Sequence, residues 1–224
     1  MTAGSVACAL ALAAAGRSAR VAGRAAAVGA GAEVLVFHTN ADVLRAWRAR
    51  GLRGRVVVHF GRFLHFVHDE ERPDAAPERG RGAAADAALL AAAGPRNHLR
   101  VAAELGVARR VAFVSPPGAL DARLSAIGRS RADLPLDIDD GPHPRELRAD
   151  PPAAGEPVLL EVNASWFDEG EPGALAEALR AARLRSDLVA VSLAEDSPDV
   201  SDGARERARA FARAIAAGTA EGTP

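Results

Sequence analysis

The sequence predicts an α/β fold with three layers, in which a mainly parallel β-sheet carries helices on both faces. Two observations lead to this prediction. Five short runs rich in Val and Leu are almost continuously apolar, which is typical of strands buried on both sides. Segments with helical periodicity lie between these runs, as the crossovers of parallel strands require. With 224 residues, 49% of them hydrophobic, the chain suits a single domain spanning residues 1–224.

The five apolar runs are the predicted strands, and the fourth of them is expected at the centre of the sheet. In chain order they are Glu33–Phe37, Arg55–Val58, Val111–Val114, Val158–Val162 and Leu188–Val191. Because each run is apolar at successive positions, helices must cover both faces of the sheet that they form.

Three helices are predicted between and after these strands. Asn40 can cap a helix over Ala41–Arg50, which Gly51 would end. Two later segments each place apolar residues on one stripe, and Ser201 or Asp202 can begin the second of them. The stripes are Leu175, Ala178, Leu179 and Ala182, followed by Ala204, Ala208, Phe211, Ala212 and Ile215.

The ends of the chain and two internal segments depart from this alternation. Residues 1–30 are rich in Ala and predict a helical segment, whereas residues 219–224 predict a disordered tail. The charged stretch Asp69–Gly82 predicts an exposed loop. The proline-rich stretch Asp133–Pro157 predicts an irregular excursion or an edge hairpin.

The composition of the chain indicates which kinds of binding partner and which cellular compartment to expect. The formal net charge of -1 gives no reason to expect a nucleic-acid partner. No apolar run is long enough to span a membrane, and the Ala-rich beginning lacks the basic residues that precede the apolar region of a signal peptide. The single cysteine, Cys8, cannot form an internal disulfide, which favours the cytoplasm. All 28 basic residues are Arg, a bias typical of a bacterium with a GC-rich genome.

Three histidines, His59, His65 and His68, lie close together in the sequence and raise the question of a zinc site. On a strand, His65 and His68 would point to opposite faces. On a helix they could converge, but no fourth ligand stands nearby. Ordinary core or surface histidines are therefore favoured over a metal site.

A second group of possible ligands consists of Asp137, Asp139 and His143. Two carboxylates at this spacing on a strand share a face and could hold a hard cation, but the Gly-Pro that follows favours a turn. The group stays as the alternative metal site. Nucleotide binding is rejected, because Gly29 and Gly31 precede a strand instead of following one. No GxSxG motif supports a hydrolase nucleophile.

The stretch Pro157–Asp168, written PVLLEVNASWFD, is an apolar run that stops at a small polar cluster followed by two aromatic residues. It resembles the metal-binding strand of arginase-like proteins, where a segment of the form ID-small-D-aromatic-F ends a central strand. The pattern is most similar to an arginase-like family that includes peptide arginases. Three further stretches are similar to other strands of that family, so the resemblance covers about the last two-thirds of the chain. They are Arg55–Phe60, Arg110–Gly118 and Asp187–Pro198.

The resemblance implies an arginase- or deacetylase-like fold and a pair of divalent cations, usually manganese, that activate water for the hydrolysis of C–N bonds. Carried over residue by residue, this ligand set is incomplete. Asn163 and Ser165 stand where the family has two aspartates, and Gly61, Phe63 and His65 stand where Asp, His and Asp are expected. Neutral amide and hydroxyl oxygens do not balance the charge of two divalent cations, so we expect the binuclear centre to be lost.

We therefore expect a non-catalytic arginase-like domain that binds a small molecule or a protein through the former cleft, without a cofactor. Pleat alternation would place Asn163 and Ser165 on one face of the strand. Two alternatives stay open: an active C–N hydrolase that holds Mn or Zn with a divergent ligand set, and a structural subunit of a homo-oligomer. The predicted cleft residues are Asn163, Ser165, Asp168, His59 and His65, and the divergent sets are Asp137, Asp139 and His143, or His59, His65 and Asp168.

Overall fold

A computed structural model describes residues 26–28, 32–62, 82–95, 97–116, 138–139, 158–182 and 184–217. Strands and helices alternate along these residues. In chain order the elements are β1 (Ala26–Ala27), β2 (Val34–Phe37), α1 (Asn40–Ala49), β3 (Arg55–Phe60), α2 (Ala83–Ala91), α3 (His98–Glu104), β4 (Ala108–Val114), β5 (Ile138–Asp139), β6 (Val158–Asn163), a 3₁₀-helix (Ala164–Asp168), α4 (Pro172–Ala182), β7 (Arg185–Ser192) and α5 (Asp202–Ala217).

The strands form one sheet, in which β7, β6, β3, β4 and β5 are neighbours in that order. On its outer side β7 pairs with β2 in parallel and with the short β1 in antiparallel orientation. All the other pairs are parallel as well. The predicted three-layer α/β fold is confirmed, because each of the five apolar runs forms a strand and β6 lies between β3 and β7.

Each face of the sheet packs against its own group of helices. All six residues of β6 are buried, and their side chains alternate between the two faces. Val158, Leu160 and Val162 belong to the core that the sheet forms with α4, α5 and the 3₁₀-helix. Leu159 belongs to the opposite core, which α1 and α3 complete. The continuous apolarity of the strand follows from this burial on both faces.

Capping residues determine where the helices begin. The side chain of Thr39 accepts a hydrogen bond from the backbone N–H of Asp42, whose carboxylate accepts one from the Thr39 N–H in return. The predicted cap at Asn40 is therefore wrong by one residue, and the side chain of Asn40 is left for other contacts. Gly51 follows the helix with φ of 68°, a left-handed conformation that suits glycine. In α5, Ser201 accepts from the N–H of Ala204, as predicted.

Several predictions fall outside the described residues. These are the N-terminal helical segment up to residue 25, the C-terminal tail, nearly all of the Asp69–Gly82 loop, most of the Asp133–Pro157 excursion, and the residues His65, His68, Asp137 and His143. The described part of the N-terminal segment differs from the predicted helix, because Ala26–Ala27 form the strand β1. Asp139 lies in β5, next to Val114 of β4. None of the helices within the described residues is long and apolar enough to cross a membrane.

Candidate functional site

The carboxyl ends of the parallel strands meet at one edge of the sheet, and most of the fully buried polar residues lie at or near this edge. There α1 begins shortly after β2, and α3 begins above β3 and β6. Ligands of open parallel sheets bind at this edge, because loops and helix N-termini converge on it. The structure joins buried polar side chains from distant parts of the chain at this edge into two clusters.

The first cluster is formed by His59, His98 and Glu161, and none of the three side chains is exposed. His59 of β3 lies opposite Glu161 of β6 in the parallel register, so both side chains project towards α3. His98 is the first residue of α3 and reaches the same carboxylate. Glu161 Oε2 is 3.0 Å from His59 Nδ1, and Glu161 Oε1 is 2.9 Å from His98 Nε2.

The charge of Glu161 depends on these two histidines. Burial of the carboxyl group by itself raises the pKa, because a low-dielectric interior disfavours the charged form. The electrostatic attraction of His98 and His59, together with their hydrogen bonds, outweighs this effect and holds the pKa of Glu161 well below its usual range. Glu161 is therefore an ionised carboxylate inside the core, and its two partners donate the hydrogen bonds that keep it there.

The ring of His59 is held in place on its other sides. It packs against Phe113 with ring centroids 5.1 Å apart. Gly61 passes so close to the ring that a Cβ at this position would lie 2.4 Å from His59 Nε2. A residue with a side chain therefore cannot take the place of Gly61 without moving the histidine.

We expect Gly61→Ala to destabilise the protein by about 1–3 kcal/mol, the usual cost of overpacking a filled core. The new methyl group would overlap with the buried ring of His59 and displace it from its position beside Glu161. Urea denaturation followed by circular dichroism measures the effect. Gly94→Ala is the control, since no atom lies within 4 Å of the place that a Cβ on this residue would occupy. Equal unfolding midpoints for the two variants would contradict the close contact.

The second cluster joins Asn40, Asn163 and Ser192, which are also fully buried. Asn40 Oδ1 accepts hydrogen bonds from Asn163 Nδ2 at 2.7 Å and from Ser192 Oγ at 2.5 Å. The amide group of Asn40 donates to the carbonyl oxygen of Pro95 at 2.8 Å. The first residue of α1 thus ties together the ends of β6 and β7, and both side-chain amides have hydrogen-bond partners within the protein.

Ser165 and Asp168 lie in the turn that follows β6. The strand ends at Asn163 and a 3₁₀-helix begins, so the prediction that Asn163 and Ser165 share a strand face is wrong. Instead, the backbone N–H of Ser165 donates to Asn163 Oδ1 at 2.8 Å, and Ser165 Oγ accepts from the N–H of Arg62 at 3.0 Å. Asp168 Oδ1 accepts from Ser201 Oγ at 2.7 Å, which links this turn to the start of α5.

A further turn at the same edge follows β7 and has a constrained backbone. Ala194 has a φ of 48°, which is unusual for a residue with a side chain. The guanidinium group of Arg205 donates to the carbonyl oxygens of Leu193, Ala194 and Ser197 and so holds the turn in shape. Conformations of this kind are concentrated at functional sites, where the surrounding contacts maintain them.

The same turn exposes the carboxyl group of Asp196, which forms no ion pair with any described residue. Partial burial raises the pKa of Asp196, and the negative charge of Asp42 adds to this effect. A hydrogen bond to the backbone of Asp196 itself, followed by the charges of His98 and Arg205, acts in the opposite direction and lowers this pKa. Asp196 is thus a partly exposed carboxyl group in the turn that follows β7.

Of the predicted cleft residues, the structure brings Asn163, Ser165 and His59 to the same edge of the sheet. Asp168 lies at the margin of this edge, and His65 is outside the described residues.

The sequence prediction missed Glu161 and His98. A signal for Glu161 was present, because a charged residue within an apolar strand buried on both faces requires a partner. Nothing in the local sequence marks His98 as that partner.

The fold and these clusters define an α/β protein with a three-layer architecture and a buried polar centre at the carboxyl edge of its sheet. In comparisons with known proteins, the chain matches no protein-family model, no curated protein and no solved structure.

Proposed function

We propose that this protein is a non-catalytic, arginase-like α/β domain that has lost the binuclear metal centre and binds a small polar molecule at the carboxyl edge of its sheet. The observation that carries the proposal is the chemistry of Asn163 and Ser165. Both residues are neutral, and both are fully buried. An arginase-like centre would need a carboxylate at each of these positions, because two divalent cations require several anionic ligands.

The hydrogen bonds of these residues also support the proposal. Asn163 uses its amide group on Asn40 and its carbonyl oxygen on the backbone of Ser165. Ser165 Oγ accepts from the backbone of Arg62. Since these groups already have partners within the protein, they stabilise the edge of the sheet and are not poised to hold metal ions.

The turn after β7 is the part of this edge that can receive a ligand. Its backbone is held by Arg205, and the carboxyl group of Asp196 is exposed without an ion-pair partner among the described residues. A carboxylate in this position favours a ligand that carries an ammonium or guanidinium group. Asp196→Asn is expected to weaken the binding of such a ligand, whereas Glu177→Gln, at an exposed position of α4 away from this turn, is the control.

The double variant Asn163→Asp, Ser165→Asp tests the lost centre. It brings two negative charges together in the core, so we expect a lower melting temperature in the presence of a chelator. Added manganese should restore part of this loss, because a cation that binds only the folded state stabilises it. Differential scanning fluorimetry with and without manganese measures both effects. If the melting temperature of the variant equals that of the wild type and does not change when manganese is added, the two positions do not face a common cleft.

Elemental and activity measurements test the same proposal on the natural sequence. The purified protein is expected to hold no pair of manganese ions and to hydrolyse neither arginine nor simple acylated amines. Two manganese ions per chain, lost together with such an activity on chelation, would overturn the proposal.

A further inference from the structure

We propose that His59, His98 and Glu161 form a binding site for a single divalent transition metal, with zinc as the best-fitting ion. This site is separate from Asn163 and Ser165 and does not depend on the function proposed above. Each of the three residues offers one ligand atom, and these atoms all lie within 4.8 Å of one another. All three side chains are fully buried, so the site is shielded from solvent.

Two of the three distances between the ligand atoms are close to those of a zinc site. One carboxylate oxygen, Glu161 Oε2, is 3.0 Å from His98 Nε2 and 3.0 Å from His59 Nδ1. The third distance, between the two histidine nitrogens, is at most 4.8 Å. In tetrahedral zinc sites the ligand atoms are about 3.3–3.4 Å apart, because the metal–ligand bonds are about 2.0–2.1 Å long. A small outward movement of the side chains would therefore convert the hydrogen-bonded cluster into a metal site.

The types of ligand select the metal. Imidazole nitrogens are good ligands for zinc and other late transition metals, whereas calcium and magnesium prefer sites made of oxygen atoms alone. Two histidines and one glutamate are a set of three protein ligands that zinc adopts, with the fourth position taken by another group. The carboxylate also compensates part of the charge of a divalent cation in a buried environment.

The surrounding structure orients the ligands towards a common point. His59 and Glu161 lie on adjacent central strands, and His98 lies in the first turn of the helix packed above them. The ring of His59 is held between Phe113 and Gly61 so that Nδ1, and not Nε2, faces Glu161. Metal sites are built in this way, because ligands that are fixed by packing and outer contacts bind metal more tightly.

The test uses the full chain, purified without a histidine tag, stripped with a chelator and then titrated with zinc or cobalt chloride. We expect one ion per chain by elemental analysis, and a visible absorption typical of tetrahedral cobalt. X-ray absorption at the zinc edge should show two imidazole ligands. Glu161→Gln and His98→Ala are each expected to lower zinc affinity by more than about 100-fold. Loss of a residue that only supports a ligand lowers metal affinity by up to about 100-fold, and loss of a ligand itself should cost more.

His38→Ala is the matched control, because His38 is exposed and pairs only with Glu195 among the described residues. It should bind zinc with the affinity of the wild type.

The proposal would be overturned if the folded wild-type protein takes up less than about a tenth of an equivalent of zinc, or if the bound zinc has no imidazole ligands. Unchanged affinity in both Glu161→Gln and His98→Ala would do so as well. If both variants fail to fold, the stoichiometry and the X-ray absorption of the wild type decide the question. Two manganese ions bound with hydrolytic activity would instead contradict the proposed function and leave this site unaffected.

Discussion

Leu159→Asp is expected to abolish folding. Leu159 lies in the central strand, is fully buried and belongs to the core between the sheet and α1 and α3. An aspartate there would place a carboxylate without a partner in an apolar core, which costs several kcal/mol beyond the lost burial of the leucine. Because small domains are stable by only about 5–15 kcal/mol, this change removes most or all of the stability. Far-UV circular dichroism and limited proteolysis measure the outcome.

The control for this variant is Ala174→Asp, which introduces the same residue at an exposed position in the first turn of α4. It should unfold at nearly the wild-type urea concentration, because a surface carboxylate stays hydrated. Cooperative unfolding of Leu159→Asp at the midpoint of the control would mean that β6 is not a strand covered on both faces, and the fold assignment would then be wrong.

Glu161→Ala is expected to destabilise the protein by about 3–5 kcal/mol when the measurement is made in a chelator, so that metal does not contribute. The change removes the acceptor shared by His59 and His98 and leaves two buried imidazoles without it. Replacing the whole cluster with apolar residues, for example Leu at all three positions, should recover most of this loss, because neither a charged carboxylate nor an imidazole that has lost this acceptor is then left in the core. Chemical denaturation of the single and triple variants makes the comparison.

The effect of Glu161→Ala should also depend on pH. Glu161 has a pKa below its ordinary value in the folded protein, so its contribution to stability is present above the ordinary carboxyl pKa of about 4.3. That contribution is lost as the pH falls towards the lower pKa of the folded state. The difference in unfolding free energy between wild type and Glu161→Ala should therefore shrink in acid. A difference that is constant from neutral pH to acid would show that Glu161 is not held as a buried carboxylate.

Much of the fold could be predicted from the sequence, because the signals for strands and helices are local. Continuous apolarity over Val158–Val162 predicts a strand covered on both faces, and the structure buries every residue of β6. The apolar stripe from Ala204 to Ile215 predicts one buried face of a helix, which α5 has. The absence of carboxylates at Asn163 and Ser165 is equally a property of the sequence alone.

What the sequence could not decide was which distant residues meet. Glu161 is separated from His59 by 102 residues and from His98 by 63, and their contact follows from the parallel register of β3 and β6 and the position of α3 above them. Likewise, Asn40 reaches Asn163 only because α1 begins at the same edge where β6 ends. Periodicity determines which side of an element is buried, but the partners across the core are determined by the packing of whole elements, and this packing brought the buried histidine–glutamate cluster together.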